Sequence, residues 1–530
     1  MLTVPAVDQA LLHSTAGEAS ALIARLEAQG LWLEALHELR QSLASGLCAV
    51  DAHHLHWLGR LYQQLGAWEL ARRAYLQALG LDAVRPATFN NLALLELARL
   101  DAHQAEAWLL QGLSLPGLTD DQAELLHATA CELYLFQLRP EQAMDSVQRQ
   151  LQRRISVMAL ANQAICHHKL GEFQQAVAIQ HQAIHLQLRQ QAPDLLEMPL
   201  PDWVGRPLPD PSQSAQLQLQ LMNLGIYRLL CQSDDPQGLQ LLLAGAVDAA
   251  SNRWRGQPVE QLILWDDQGF GDSIQNLAWI DDAARQTRRL RLWLRPALMA
   301  LVQQRCQLPA HVTLEPMAAD AEPWGQDTPQ LGLFFLPMVL GRWPRQGDAP
   351  RPPALRRQNL PDARGPRRVG LVWSAGRHRA PQPERSARVR DVPFEQLWAH
   401  ARRWQHQHQL DLVSLQLEGH DHPAVAPELA AGRLQLGLHS GDWLATAECL
   451  ERLDLLVSVD TSVAHLAGAL GVPCVLLLSA PADWRWGQTA KTTPLYASFS
   501  LARCRVRDAW HTALEQADDL VAEILAVERR

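Results

Sequence analysis

The 530-residue chain lacks the features that announce several common protein classes. It holds only eight cysteines and no C-x-x-C pair, which speaks against both a zinc-binding frame and a disulfide scaffold. Reduced, mostly buried thiols of a cytoplasmic protein are expected instead. Positive charge is not in excess either. Lys and Arg number 47 against 56 Asp and Glu, for a formal net charge of −9, so there is no basic footprint for nucleic acid. No apolar run approaches the roughly 20 residues of a membrane span. The opening residues, MLTVPAVDQALLHSTAGEAS, lack a basic stretch followed by an apolar core, so no secretory leader and no transmembrane segment are expected. A soluble protein of roughly three or four domain-sized units is implied by the length.

What is present is, first, a repeat. Leu58 and Leu92, Ala71 and Ala105, and Ala78 and Gly112 each stand 34 residues apart. That is the tetratricopeptide period, and Trp57-Leu58-Gly59, Tyr62, Gly66, Ala71, Tyr75 and Ala78 fit its pattern. Looser copies follow around Tyr134, Ala143 and Val147 and around Gly171, Ala176 and Ala183, with an earlier one at Gly30 and Ala35. Small residues let paired helices approach, and large ones fill the gaps between pairs. About five such units stack into one superhelix, because none can bury its apolar face alone. The array reads either as a surface for a protein, peptide or glycan, or as a spacer or dimerisation arm. Residues 191–258 are then a connection: a proline-rich stretch, a helix pair over Ala215–Leu230 and Gln237–Ala250, and a hinge at Trp254–Pro258.

From 259 onward, strands and helices alternate, which predicts parallel sheets. Leu262–Trp265 is a strand, Asp266–Asp272 its loop and Ser273–Arg285 the helix after it. Leu290–Leu294 and Leu331–Leu336 are further strands. Gln346–Arg368, rich in Pro and Arg without periodicity, reads as a linker. The alternation restarts with Arg368–Trp373, followed by a loop carrying Arg377, Arg379, Arg385, Arg388 and Arg390. Strands at Leu412–Leu417 and Leu434–Leu438 and a helix at Asp442–Leu450 come next.

Then comes the most informative stretch, DLLVSVDTSVAHLAGALGVPCVLLLS, residues 454–479. Leu455–Val459 and Cys474–Leu478 read as buried strands around a helix over Val463–Leu470, stopped by Gly471 and Pro473. Its polar residues are Asp460, Thr461, Ser462 and His465, at the mouth where free N–H groups and the helix dipole favour anions. Two readings of them stand side by side. Asp460 or Thr461 could be a plain N-cap and His465 a satisfied buried histidine, or the four could line a ligand site. The same holds for Asp272, a helix cap or a carboxylate facing the crevice, with Gly269 and Gly271 letting a substrate lie against backbone. Asp508–Glu528 closes the chain as a helix.

The run S-V-D-T-S-V-A-H-L-A-G-A-L-G-V-P resembles the nucleotide-sugar motif of bacterial family-9, heptosyltransferase-like glycosyltransferases. The branch it resembles most is the soluble one, in which tetratricopeptide repeats precede the transferase. Q-G-F-G-D-S-I-Q resembles the family's G-x-G-D loop, with Phe270 where the relatives usually carry leucine. D-W-R-W at 483–486 resembles the same branch. The resemblance implies an α superhelix followed by an α/β GT-B fold of two Rossmann-like halves, cut as array 1–190, connection 191–258, acceptor-side half 259–345, linker 346–366, donor-side half 367–507 and final helix 508–530. That last helix would cross back onto the first half.

The resemblance further implies transfer of a sugar from a nucleotide-diphosphate sugar to a hydroxyl. Asp272 would be the catalytic base, and Arg388, Arg390, Asp460, Thr461, Ser462 and His465 would hold the donor. Gly269 and Gly271 would lie on the acceptor side, and neither metal nor cofactor would be needed. The tryptophans of D-W-R-W read as core more readily than as a stacking platform. Two competing readings are a repeat-based interaction scaffold with a degenerate transferase half, and a protein O-glycosyltransferase, which differs in acceptor and not in fold.

Overall fold

A computed structural model of the chain describes residues 15–197, 211–245, 253–318, 327–345, 347–362, 365–375, 390–438 and 440–527. It divides into two compact units, one ending at Leu170 and one beginning at Gly171.

The first unit is an array of antiparallel helix pairs: α1 (Ala16–Ala28) with α2 (Trp32–Ala44), α3 (Ala52–Gln64) with α4 (Trp68–Leu81), α5 (Pro86–Ala98) with α6 (Ala102–Leu113), and α7 (Asp120–Phe136) with α8 (Pro140–Arg153), followed by α9 (Val157–Leu170). The expected helix pairs and their period are found. Gly59 shows why small residues recur: a Cβ there would come within 2.5 Å of the Tyr75 ring on the partner helix. The turn inside each pair needs one left-handed residue, supplied by Gly30 and Gly66 but by Leu100 and Leu138 in the later pairs. The array core is built from separate small clusters, such as Ile23, Ala35, Leu39 and Leu61, and Ala93, Ala105, Leu126 and Leu133. Each pair therefore leans on its neighbours, as repeat proteins do.

The second unit opens with α10 (Phe173–Gln191), α11 (Pro211–Cys231) and α12 (Pro236–Gly245), packed around Ile184, Leu188, Leu217, Leu221, Leu224 and Leu241. Two parallel sheets follow. The first has the order β3-β2-β1-β4, from β1 (Val259–Trp265), β2 (Thr287–Leu294), β3 (Val312–Pro316) and β4 (Gln330–Gly332). The second runs β10-β9-β8-β5-β6-β7, from β5 (Arg368–Val372), β6 (Asp411–Ser414), β7 (Gln435–Leu436), β8 (Leu455–Val459), β9 (Cys474–Leu478) and β10 (Phe499–Arg503). Among the described residues every strand pairing is parallel, so within each sheet the loops at the strands' carboxyl ends open to one side. The two Rossmann-like halves form the GT-B arrangement.

Several expected elements differ in extent. The helix expected over Ser273–Arg285 begins earlier, as α13 (Phe270–Asn276), then tightens at Leu277–Trp279 before α14 (Ile280–Ala284). Residues 273–277, 279 and 280 are all buried, a run that one helical face cannot present. The strand expected over Leu331–Leu336 stops at Gly332. A Cβ there would run into the Asp267 carboxylate, whose Oδ1 takes the Phe334 N–H at 2.9 Å and turns the chain. The short helices α15 (Pro296–Arg305) and α16 (Leu336–Val339) complete the first half. In the second, α17 (Phe394–His408), α18 (Ala426–Ala430), α19 (Trp443–Glu451) and α20 (Ser462–Leu470) alternate with the strands. The last helix, α21 (Trp510–Ala526), corrects an expectation. Its apolar stripe of Trp510, Ala513, Leu514, Ala517, Val521 and Leu525 belongs to the core of the second sheet, and the helix packs on β8, β9, β10 and α17.

The stretch between the halves is not a loose tether where it is described. Glu451 is fully buried at the end of α19, and its carboxylate accepts the N–H of Gln358 at 3.0 Å, the N–H of Asn359 at 3.1 Å and the Asn359 amide at 2.8 Å. Arg305, 1% exposed at the end of α15, approaches the same carboxylate at 3.6 Å. One buried anion thus joins the first half, the linker and the second half. Glu451→Ala would leave the Arg305 charge with Glu448 alone, 3.8 Å away, and orphan three donors, and a loss of about 3–5 kcal/mol is expected in urea denaturation. An unchanged midpoint would show that the clamp adds nothing to stability.

Candidate active site

In each sheet the strand order reverses at one place, between β1 and β4 in the first and between β5 and β8 in the second. Open α/β sheets bind ligands outside the carboxyl ends of the strands at such switch points. Here the two switch points meet. The loop after β1 with the first turn of α13 (Gly269, Gly271, Asp272), the loop after β5 (Ala375) and the loop after β8 with the start of α20 (Asp460, Thr461, Ser462) line one cavity of about 180 Å³, together with Arg390, His465, Asp483 and Arg485.

On the second half, Thr461 is the N-cap of α20, its Oγ1 accepting the Ala464 N–H at 3.3 Å, and Gly471 ends the helix at φ 70°. The capping reading of Thr461 is realised, and the capping residue also lines the cavity. Its hydroxyl is occupied, so the donors that point onward are the leading N–H groups of the first helical turn. Asp460 is almost buried; its carbonyl accepts from Arg390 Nη1 at 3.1 Å, and its carboxylate lies 3.7 Å from the same nitrogen. Ala375 is held by Asp391, whose carboxylate accepts its N–H at 2.8 Å and the Ser374 hydroxyl at 2.9 Å. Of the expected donor-binding residues, Arg390, Asp460, Thr461, Ser462 and His465 come together, whereas Arg388 lies outside the described residues, as do Arg377, Arg379 and Arg385.

His465 sits where side chains of a first helical turn lean, back toward the loop. It is 4% exposed, stacks on Trp486 with ring centroids 5.4 Å apart, and bonds Tyr496 through Nδ1 at 2.9 Å. Burial, and then the charge of Arg485, pushes its pKa down to about 4, so it is neutral at neutral pH. Its other ring nitrogen, Nε2, lies 3.7 Å from Asp460 Oδ1.

From the first half, α13 brings Asp272 into the cavity. It is not the helix cap. It is the third residue of the helix, and its Oδ2 accepts the N–H of Gly269 at 3.1 Å. Its Oδ1 receives Arg485 Nη1 at 2.7 Å. Burial raises its pKa, but the Arg485 charge and hydrogen bond, His465 and the Gly269 N–H together outweigh it, and the carboxyl lies below the usual range. Gly271 lets α13 lie against α20: a Cβ there would come within 2.7 Å of His465 Cδ2 and 3.3 Å of Ser462 Cα.

Arg485 was not singled out in the sequence, although D-W-R-W was. Its Nε bonds Asp483 at 3.0 Å, and its Nη1 also reaches Gln275 Oε1 at 3.3 Å. Burial works against its charge, yet Asp483, Asp272 and Asp460 hold its pKa well above the usual value. The signal available beforehand was a charge flanked by two residues expected in the core, where an unpaired cation is costly. Both tryptophans are indeed buried, at 5% and 2% exposure. Among the described residues no three His, Cys, Asp or Glu side chains are grouped to hold a metal ion, and no helix is long and apolar enough to cross a membrane.

No protein-family profile matches the sequence, and no curated protein does. Among solved structures, the chain is similar to a family-9 glycosyl transferase from Veillonella parvula, at 12% identity over 52% of this chain and 99% of that one, with a TM-score of 0.36. It is also similar to the pilF protein of Pseudomonas aeruginosa, at 18% identity over 39% of this chain and 91% of that one, with a TM-score of 0.29. A TPR protein of Thermus thermophilus matches at 18% identity over 34% and 94% of the two chains, with a TM-score of 0.29. The solved structures similar to this chain thus include a repeat array and a family-9 transferase fold.

Proposed function

We propose that the protein is a glycosyltransferase of the family-9 type, moving a sugar from a nucleotide-diphosphate sugar to a hydroxyl acceptor that the repeat array helps to recruit. The observation that carries this reading is the meeting, in one cavity, of a carboxylate from the first half and a helix N-terminus from the second. The diphosphate rests on the leading N–H groups of α20, with Arg390 beside it. Asp460, already engaged with Arg390, faces the sugar or ribose hydroxyls. In the reaction the acceptor oxygen attacks the anomeric carbon and forms the new glycosidic bond. The old bond to the β-phosphate breaks, its electron pair leaves with the nucleoside diphosphate, and the acceptor proton passes to Asp272. Backbone dipoles and guanidinium groups stabilise the departing charge.

Three measurements test the reading. A thermal-shift series with UDP-, GDP-, ADP- and CMP-sugars is expected to return at least one stabilising ligand, because binding to the folded state raises its melting temperature by mass action. If no sugar nucleotide stabilises the protein, the donor assignment falls. That binding is expected to survive EDTA; activity lost on chelation and restored by Mg²⁺ or Mn²⁺ would replace the metal-free mechanism with a cation-assisted one. Thr461→Ala and His465→Ala are each expected to weaken donor binding about tenfold, since a cap or a charge-assisted contact is worth roughly 1–2 kcal/mol. Ser414→Ala is expected to leave it unchanged, because the Ser414 hydroxyl serves the N–H of Gln416 at 3.3 Å.

A further inference from the structure

The ion pair between Asp272 and Arg485 crosses the cleft. Asp272 rides on α13 of the first half, whereas Arg485 belongs to the turn that follows β9 in the second. That turn is anchored on both sides of the arginine. Trp484 packs against Trp343, which precedes the linker, with ring centroids 4.7 Å apart. Trp486 stacks on His465 at 5.4 Å and on Phe499 at 6.1 Å, in the core of the second half. Asp483 holds the Nε of the guanidinium and the ring of Phe334 lies 6.0 Å from its centre. The guanidinium is thus fixed before any ligand arrives, and Asp272 is where it points.

We propose that Arg485 is the positioning residue of the catalytic carboxylate: from the donor-side half it binds one oxygen of Asp272, holds that half-buried group beside a fixed cation, and ties its readiness to closure of the cleft. This rests on the reading of Asp272 as the base. Each carboxylate oxygen then carries one fixed donor, Arg485 Nη1 on Oδ1 and the Gly269 N–H on Oδ2, and keeps a lone pair for the acceptor proton. The pairing has a chemical cost, because an anion stabilised in this way is a weaker base. Proton transfer is accordingly late, following the rise in acidity of the acceptor hydroxyl as its oxygen bonds to carbon. Were the halves to part, Asp272 would lose its cation and its cover together while the Gly269 contact stayed, leaving an ordinary solvated carboxylate that nothing aims at the donor. The other groups that bear on the carboxylate are His465, neutral at working pH, Asp267 on its own loop, Tyr496, and Asp460 and Asp483 through their shared pairing with Arg485.

The test is the pH profile of sugar-nucleotide hydrolysis or transfer by the full chain, with whichever of the UDP-, GDP-, ADP- and CMP-sugars stabilises it most. Activity needs Asp272 deprotonated, so it falls as pH drops through the pKa of the bound carboxylate, which in the wild type lies below the usual carboxylate range. In Arg485→Gln that acid limb is expected to move up by about one pH unit or more, while KM for the donor changes less than kcat. Arg485→Lys is expected to return the limb to near its wild-type position with a reduced kcat, since one ammonium cannot reproduce the fork shared between Asp272 and Asp483. Asp267, pushed up to about 7 by burial, could imitate a moved limb; the shift is expected to persist in Asp267→Asn/Arg485→Gln. Should Arg485→Gln not fold, Arg485→Lys decides alone: wild-type kcat in that variant overturns the proposal. An acid limb that stays in place in a folded Arg485→Gln, with Asp272→Asn inactive, also overturns it and leaves the base intact. Full activity of Asp272→Asn would overturn the base assignment itself, and with it this inference.

Discussion

Asp272→Asn is expected to slow sugar transfer by roughly 10²–10⁴-fold while donor affinity stays within about twofold. The structure makes this a clean substitution. Asparagine keeps the shape of the side chain, and its carbonyl oxygen can keep one of the two donors that Asp272 accepts, the Gly269 N–H at 3.1 Å or Arg485 Nη1 at 2.7 Å. What disappears is the ability to receive a proton. Arg485 loses one of its carboxylates but keeps Asp483, so the fold should persist, and thermal melts of both proteins would show it. Single-turnover measurements separate chemistry from binding. Turnover close to wild type would reduce Asp272 to the helix-capping partner that its Gly269 contact already makes it.

A second large effect is expected from adding one methyl group. Replacing glycine by alanine inside a helix ordinarily stabilises by roughly 0.5–1 kcal/mol. At Gly271 the opposite is expected, because the new Cβ would lie 2.7 Å from His465 Cδ2 and 3.3 Å from the backbone of Ser462. Ser462 Cα belongs to a helix and cannot step aside, so α13 must move off α20. A shift of this kind displaces Asp272 from the donor, and misplacement by about 1 Å can cost on the order of 10²-fold in rate. Overpacking is also expected to remove about 1–3 kcal/mol of stability. A Gly271→Ala protein that melts higher and turns over normally would mean that the halves do not meet at this point in solution.

The unit of β8, α20 and β9 was legible because local signals agreed there. Leu455–Val459, Gly471 and Cys474–Leu478 occupy the places their chemistry suggested, with the left-handed stop at Gly471. The repeat array was legible for a different reason, since each pair is specified by near neighbours and the same spacing returns. Legibility failed where long-range contacts decide. The stop of β4 at Gly332 depends on Asp267, far off in sequence, and the break after α13 depends on being buried from several sides at once. The final helix shows an apolar stripe in any reading, but only packing tells which sheet receives it. Arg485 is the instructive omission. Its partner lies 213 residues away, so spacing could not reveal the pair.

The Glu451 clamp carries a kinetic implication. A linker gripped by a fully buried carboxylate, which also faces Arg305, cannot serve as a free swivel, and any wide gape between the halves must first undo that grip. On the proposed function, a sugar nucleotide arriving at the cavity mouth would meet a largely assembled site, and exchange of spent nucleotide for fresh donor would be gated by breaking buried polar contacts. Gating of this type commonly sets turnover in enzymes whose lids or domains must part. Weakening the grip, for example by Asn359→Ala, which removes the amide that meets Glu451 at 2.8 Å, should speed nucleotide release in stopped-flow traces even as it loosens the protein.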